Sequence, residues 1–191
     1  MPDSAMTVAP HNTGRLELVR AFVELGKLRL SALAVFAVVA GCYMGWTPHA
    51  SPPASVVIGT TIGTFLVAVG SAAWNMYRER ELDGLMQRTQ DRPLPSGRLL
   101  PGQVLGFGIA TSVIGLVVVA QTSNLLAASL SGLILFSYVA IYTPMKVRTP
   151  LNTLIGAIPG ALPPVVGYAA VTGKLGFAGA AAAGTTSSYY E

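Results

Sequence analysis

Five long apolar runs, each free of Asp, Glu, Lys and Arg, constrain this chain more than any other feature: residues 30–46, 54–76, 104–120, 125–142 and 151–171. An uncharged run of about 20 residues is long enough to cross a bilayer as a helix. A helix is also the open-chain form that satisfies its own backbone polar groups where water is absent. Only 10% of the 191 residues are charged, which excludes a disordered chain and argues against a soluble domain. The fold class expected is therefore all-α: a polytopic transmembrane helix bundle of about five spans. The lone Cys42 excludes an internal disulfide and a cysteine-based zinc site within one chain.

The chain divides into three parts. Residues 1–26 form a polar N-terminus with no signal-peptide character, ending in a short amphipathic helix over residues 15–26. Leu18, Phe22 and Leu25 share one face of that helix, which suits a membrane surface. Residues 27–175 carry the spans, and residues 176–191 read as a low-complexity tail. The prolines at 159, 163 and 164 should kink the fifth run. Small residues four apart (Gly59/Gly63, Gly102/Gly106 and Gly156/Gly160) would let helices approach closely, although composition alone could place them there.

Charge sets the orientation. With five spans, eleven of the twelve Lys and Arg residues fall on one side, and only Lys174 falls on the other. By the positive-inside rule the N-terminus and both charged loops are cytoplasmic, as expected of a multi-pass protein of a bacterial inner membrane. The net charge of +4 then reflects topology and not nucleic-acid binding.

The second run leads into Trp74-Asn75-Met76-Tyr77-Arg78-Glu79-Arg80-Glu81-Leu82-Asp83. Asn75, Glu79 and Asp83 stand four residues apart, so on a helix each is offset from the last by only ~40°. Three oxygen-bearing side chains on one face, at the membrane boundary, suit Mg²⁺, which takes one or two carboxylates plus substrate phosphates. The alternative is a solvated helix end with Glu79 paired to Arg78 or Arg80. Downstream, Arg88, Arg92 and Arg98 supply the cations that a metal-bound diphosphate needs. Lys146 and Arg148, on the next charged loop, could close over the same group or serve only as topology signals. A substrate with an anionic head and an apolar tail would use both environments: cations and Mg²⁺ for a leaving diphosphate, and the dry bundle for the hydrocarbon.

These residues carry a resemblance. Asn75-x-x-x-Glu79-x-x-x-Asp83, followed by Met86-Gln87-Arg88-Thr89-x-x-Arg92-Pro93-Leu94-Pro95-Ser96-Gly97, resembles the first acidic motif of the UbiA-type intramembrane prenyltransferases. The middle glutamate is similar to the branch of that family that farnesylates haem. Tyr142-Thr143-x-x-Lys146-x-Arg148 and the proline-rich fifth run resemble further family stretches, over about residues 25–175. The resemblance implies farnesyl transfer from farnesyl diphosphate to haem B within the membrane lipid. In that reading Asn75, Glu79 and Asp83 hold Mg²⁺, and Arg88, Arg92, Lys146 and Arg148 contact diphosphate. The lead-in Gly26-Lys27-Leu28-Arg29 departs from the family's Lys-Pro-Arg pattern, so no role is assigned to Lys27 or Arg29.

Family members have about nine spans and a second acidic motif in a later loop. Here no acid follows Asp91 except Glu191. The expectation is a chain that stops near the middle of the bundle, as a truncation, frameshift product or fragment, with a second polypeptide as a candidate for the remainder. Two other functions stay open from the sequence: prenyl transfer to an aromatic quinone precursor, and a non-catalytic membrane scaffold.

Overall fold

A computed structural model of the chain describes residues 14–47, 51–145 and 152–175. Six helices account for most of them: α1 (Arg15–Leu25), α2 (Leu28–Met44), α3 (Ala54–Leu85), α4 (Pro101–Thr122), α5 (Leu125–Phe136) and α6 (Asn152–Thr172). Each apolar run falls on one of α2 to α6. By length and composition α3, α4 and α5 with its continuation to Tyr142 can each cross a membrane, and α1 with α2 makes a fourth crossing if that pair, bent by 49°, is one span. The fifth run lies on α6, which stays one helix of 21 residues through its three prolines.

Local chemistry explains the boundaries. Pro101 starts α4, where its missing N–H costs nothing, and the Gln103 Oε1 accepts the Leu100 N–H at 2.9 Å. Asn124 caps α5: its Oδ1 accepts the Ala127 N–H at 2.9 Å while its Nδ2 donates to the Ala169 carbonyl on α6 at 2.8 Å. The fourth run is not a regular α-helix to its end. From Ser137 to Tyr142 it widens to a π-helix, with no signal in the sequence, and a short turn Thr143–Met145 follows.

Helices α2 to α6 close a ring in which α2 meets α3, α3 meets α4, α4 meets α5, α5 meets α6 and α6 returns to α2. Glycines set the two tightest seams. A Cβ on Gly63 would crowd the Gly115 carbonyl and Val119, and one on Gly70 would crowd Ser112. Across the other seam, a Cβ on Gly41 would fall onto the Pro164 carbonyl and one on Gly167 onto the Val38 carbonyl. Helix association in a membrane rests on such close approach, because lipid gives apolar faces no reason to hide. Of the three pairs read from the sequence, Gly59/Gly63 lies in a seam. Gly102, Gly106 and Gly160 face open space, and Gly156 meets only the Tyr142 ring. Spacing along one helix carries no information about which face meets a neighbour: Gly102/Gly106 does not mark a close approach, and of Gly156/Gly160 only Gly156 does, against the π-helix.

Outside the ring, Leu33, Phe36, Val113, Leu125 and Phe136 are exposed, as lipid-facing side chains are. The α1 helix exists where expected. Ala21 and Leu25 are fully buried against α3 and the loop before α4, while Leu16 and Val19 point outward.

Candidate active site

The 32 residues of α3 rise about 48 Å, which exceeds a hydrocarbon core of about 30 Å. Its uncharged stretch to Trp74 is enough to cross. The remaining turns, from Asn75 to Leu85, project the acidic face beyond the apolar layer.

That face is assembled and buried. Asn75, Glu79 and Asp83 keep only 2%, 7% and 1% of their surface exposed. The Asn75 Nδ2 donates to Glu79 Oε2 at 3.1 Å, and the Thr143 hydroxyl lies 3.0 Å from Asn75 Oδ1. Arg92 closes the row, with Nη1 2.6 Å from Asp83 Oδ2 and 3.9 Å from Glu79 Oε2. Burying carboxylates is tolerable only with such partners.

Arg78 and Arg80, the alternative partners for Glu79, turn elsewhere. Arg78 donates to the Val139 carbonyl at 3.3 Å, and Arg80 pairs with Glu81 and lies over the Tyr77 ring. Arg88 is exposed on the turn after α3 and is not brought to the carboxylates by any hydrogen bond or ion pair among the described residues. Lys146 and Arg148 lie outside the described residues.

Arg92 is held by its own loop. The Thr89 hydroxyl donates to the Asp83 carbonyl at 2.8 Å, folding the chain back at the end of α3. Gly97 takes φ +72°, the left-handed conformation that glycine adopts without penalty, and Leu99 N–H then reaches the Pro93 carbonyl at 2.9 Å.

One turn along α3 from the polar face lies a partly open cavity of about 580 Å³ lined by α2, α3, α5, α6 and the π-helix. Its wall on α3 includes Thr64, Ala68, Ser71 and Ala72, and the next turn along the same face is Asn75. Tyr138 and Tyr142 stack at 5.3 Å on the opposite wall. The volume is within the roughly 300–1,000 Å³ of pockets that enclose most of a small ligand.

Sequence reasoning missed two residues here. Thr143 places its hydroxyl between Asn75 Oδ1 at 3.0 Å and the Tyr138 carbonyl at 2.8 Å, and only its place beside Tyr142 in the quoted stretch pointed to it. Lys27 lines the cavity and sits at the α1–α2 bend with φ 42°, the only left-handed non-glycine residue described. That conformation costs a bulky residue about 1–2 kcal/mol, and a lead-in unlike the family's hid it.

The donor set fits a hard divalent cation: two carboxylates one turn apart and an amide oxygen, all buried on one face. A buried row of two carboxylates, an amide and a guanidinium stands one helical turn along α3 from an apolar cavity in a membrane-type helix bundle. The UbiA prenyltransferase family model matches residues 34–189, and the chain belongs to that family. It is thus a multi-pass integral membrane protein of a family whose members in general depend on a divalent metal.

The chain is 44% identical over 165 residues to a protohaem IX farnesyltransferase of Solibacter usitatus, covering 82% of this chain and 56% of that protein. It is 42% identical over 166 residues to one of Anaeromyxobacter sp., covering 87% and 55%, and 48% identical over 126 residues to one of Sorangium cellulosum, covering 66% and 45%. The chain therefore spans about half the length of the curated relatives it matches. No solved structure matches it.

Proposed function

We propose that this chain carries the first diphosphate site of a protohaem IX farnesyltransferase, which moves a farnesyl group from farnesyl diphosphate to haem B and yields haem O. The observation that carries the reading is the buried Asn75–Glu79–Asp83 row, bridged by Arg92 and one helical turn from the apolar cavity. The relatives' names supply the acceptor and the prenyl length.

Asn75, Glu79 and Asp83 would hold Mg²⁺ at the head of the substrate. That ion supplies charge neutralisation for the departing diphosphate. Arg92 contributes a fixed guanidinium to the same oxygens, able to bind two at once. Arg88, Lys146 and Arg148 are further candidate contacts for the diphosphate. The cavity between Thr64 and the Tyr138–Tyr142 stack takes the hydrocarbon and keeps water from the reacting carbon.

The remaining placements belong to the same reading. The N-terminus and charged loops are cytoplasmic at a bacterial inner membrane. Residues 15–26 lie on the membrane surface ahead of a transmembrane unit at 27–175; residues 176–191 lie outside the described residues. A second polypeptide is a further candidate partner.

The test is Mg²⁺-dependent binding of farnesyl diphosphate to the membrane-inserted chain, followed by mass detection of haem O when haem B is supplied. Asp83→Asn should weaken Mg²⁺-dependent diphosphate binding by at least about 10-fold, the lower end of the losses seen when a partner at a metal site is removed. Equal binding with and without Mg²⁺ would sink the metal assignment. Labelling of an aromatic acid in place of haem B would move the acceptor to the quinone class, and no binding at all would leave a scaffold.

A further inference from the structure

We propose that Glu24 on α1, acting through Arg98, is a positioning residue that fixes Arg92 against the carboxylate row; this rests on Arg92 being a diphosphate contact. Arg98 lies six residues beyond Arg92, yet it reaches the carbonyl just before Arg92 directly and the Arg92 carbonyl through Ser96. Its Nη2 donates to the Asp91 carbonyl at 2.6 Å. Its Nε donates to the Ser96 Oγ at 3.1 Å, and the Ser96 hydroxyl in turn donates to the Arg92 carbonyl at 2.7 Å. The two remaining contacts run to Glu24, Nη1 to Oε1 at 3.2 Å and Nη2 to Oε2 at 2.8 Å.

Four N–H groups of one guanidinium are thereby spent on tying the Arg92 loop to α1. An isolated surface ion pair is worth little. This one is bidentate and shares its cation with two points of the loop, so the planar fork transmits the anchor where a lysine could not. The anchor is firm, because Ala21 and Leu25 of α1 are fully buried in one cluster with Leu94 and Leu99 from the same loop. Phe22 also meets the Phe107 ring of α4 at 5.1 Å. Helix α1 thus lies outside the ring of spans but sets the position of a group inside the site. No reading of the sequence joined Glu24 to Arg98, which stand 74 residues apart.

The experiment pairs two measurements on the membrane-inserted chain. Amide hydrogen exchange reads the loop, and binding reads the site, with farnesyl diphosphate plus Mg²⁺ as one probe and farnesol, which has the tail but no diphosphate, as the other. Glu24→Gln should speed exchange over residues 89–98 while α3 residues 54–74 keep their protection. It should weaken farnesyl diphosphate about two- to fivefold, the scale of an exposed charge pair, and leave farnesol unchanged. Arg98→Lys should do both more strongly. The reversed pair Glu24→Arg with Arg98→Glu should fail to rescue, because a glutamate at 98 cannot donate to the Asp91 carbonyl or Ser96. Unchanged loop exchange in Glu24→Gln, exchange that rises throughout the bundle, or full rescue by the reversed pair would each overturn the proposal. If the parent chain binds no farnesyl diphosphate, the functional reading falls, and loop exchange in Glu24→Gln still decides whether Glu24 positions Arg92.

Discussion

The two halves of α3 are built for different surroundings. From Ala54 to Trp74 the helix buries small residues and hydroxyls, and its packing is a matter of backbone approach: Gly63 against Gly115, Gly70 against Gly108 and Ser112. From Asn75 to Leu85 the same helix buries two carboxylates and an amide, and its packing is a matter of partners: Arg92, Thr143 and the row itself. The first half leaves the hydroxyls of Thr60, Thr61 and Thr64 without hydrogen bonds. The second half could not tolerate that, because an unpaired buried charge costs far more than an unpaired hydroxyl. One continuous helix therefore meets shape rules along the hydrocarbon and charge rules where it leaves it.

The comparison breaks most decisively at the seam. Gly63→Val should leave little folded protein, since its Cβ would crowd the Gly115 carbonyl and no backbone shift can spare the seam on both sides. Gly102→Ala is the control, because nothing lies near its Cβ. Thermal unfolding in detergent should separate the two. Equal midpoints would show that shape does not govern the first half.

Arg92→Met tests the second half. It removes the guanidinium that lies 2.6 Å from the buried Asp83 carboxylate. Breaking a buried pair from one side costs about 3–5 kcal/mol. Here Arg92 is partly exposed, so the lower end is expected. If the row binds Mg²⁺, adding it should recover much of that loss, since a ligand for the folded state stabilises it by mass action. Destabilisation that Mg²⁺ leaves untouched would separate the row from metal binding.

Thr143→Val removes the hydroxyl beside Asn75 Oδ1 while keeping volume. The lost hydrogen bond should cost about 0.5–1.5 kcal/mol, read as a lower unfolding midpoint and a few-fold weaker Mg²⁺-dependent binding of farnesyl diphosphate. Because the same hydroxyl also lies 2.8 Å from the Tyr138 carbonyl, a lower midpoint with unchanged binding would assign its proton to Tyr138, and an unchanged protein would mean that Asn75 is held without Thr143.

The legible parts of the molecule share a physical reason. Apolar runs and the Asn75–Glu79–Asp83 row are written at short range, in the helical period itself, and α1 to α6 and the row appear where that period places them. Arg92 was legible because nine residues and a turn bring it back to Asp83. The hidden parts are long-range. Gly102/Gly106 and Gly59/Gly63 have the same spacing, yet one faces open space and the other a seam, and only the register between helices decides which. The widened turn at Ser137–Tyr142 leaves no mark in composition. Arg98 read as a further cation for the diphosphate, although its carboxylate partner is Glu24 on α1.

The smallest expected effect concerns the cavity that the first half of α3 lines, up to one turn before the row. Gly160 on α6 lines that cavity, and a Cβ there meets nothing within 4 Å. Gly160→Val therefore adds volume to the tail space without touching Arg92, Asp83 or the seams. If the cavity holds the hydrocarbon, the longer tail loses most: each CH₂ denied burial is worth about 0.8 kcal/mol, or roughly fourfold in affinity. Farnesyl diphosphate should weaken by a few-fold relative to geranyl diphosphate, whose tail is one prenyl unit shorter, while Mg²⁺ dependence stays as in the parent. A parallel loss for both tails would mean that valine has disturbed the head site. No loss for either would mean that the hydrocarbon lies elsewhere and that the charge rules of the second half act without the cavity one turn away.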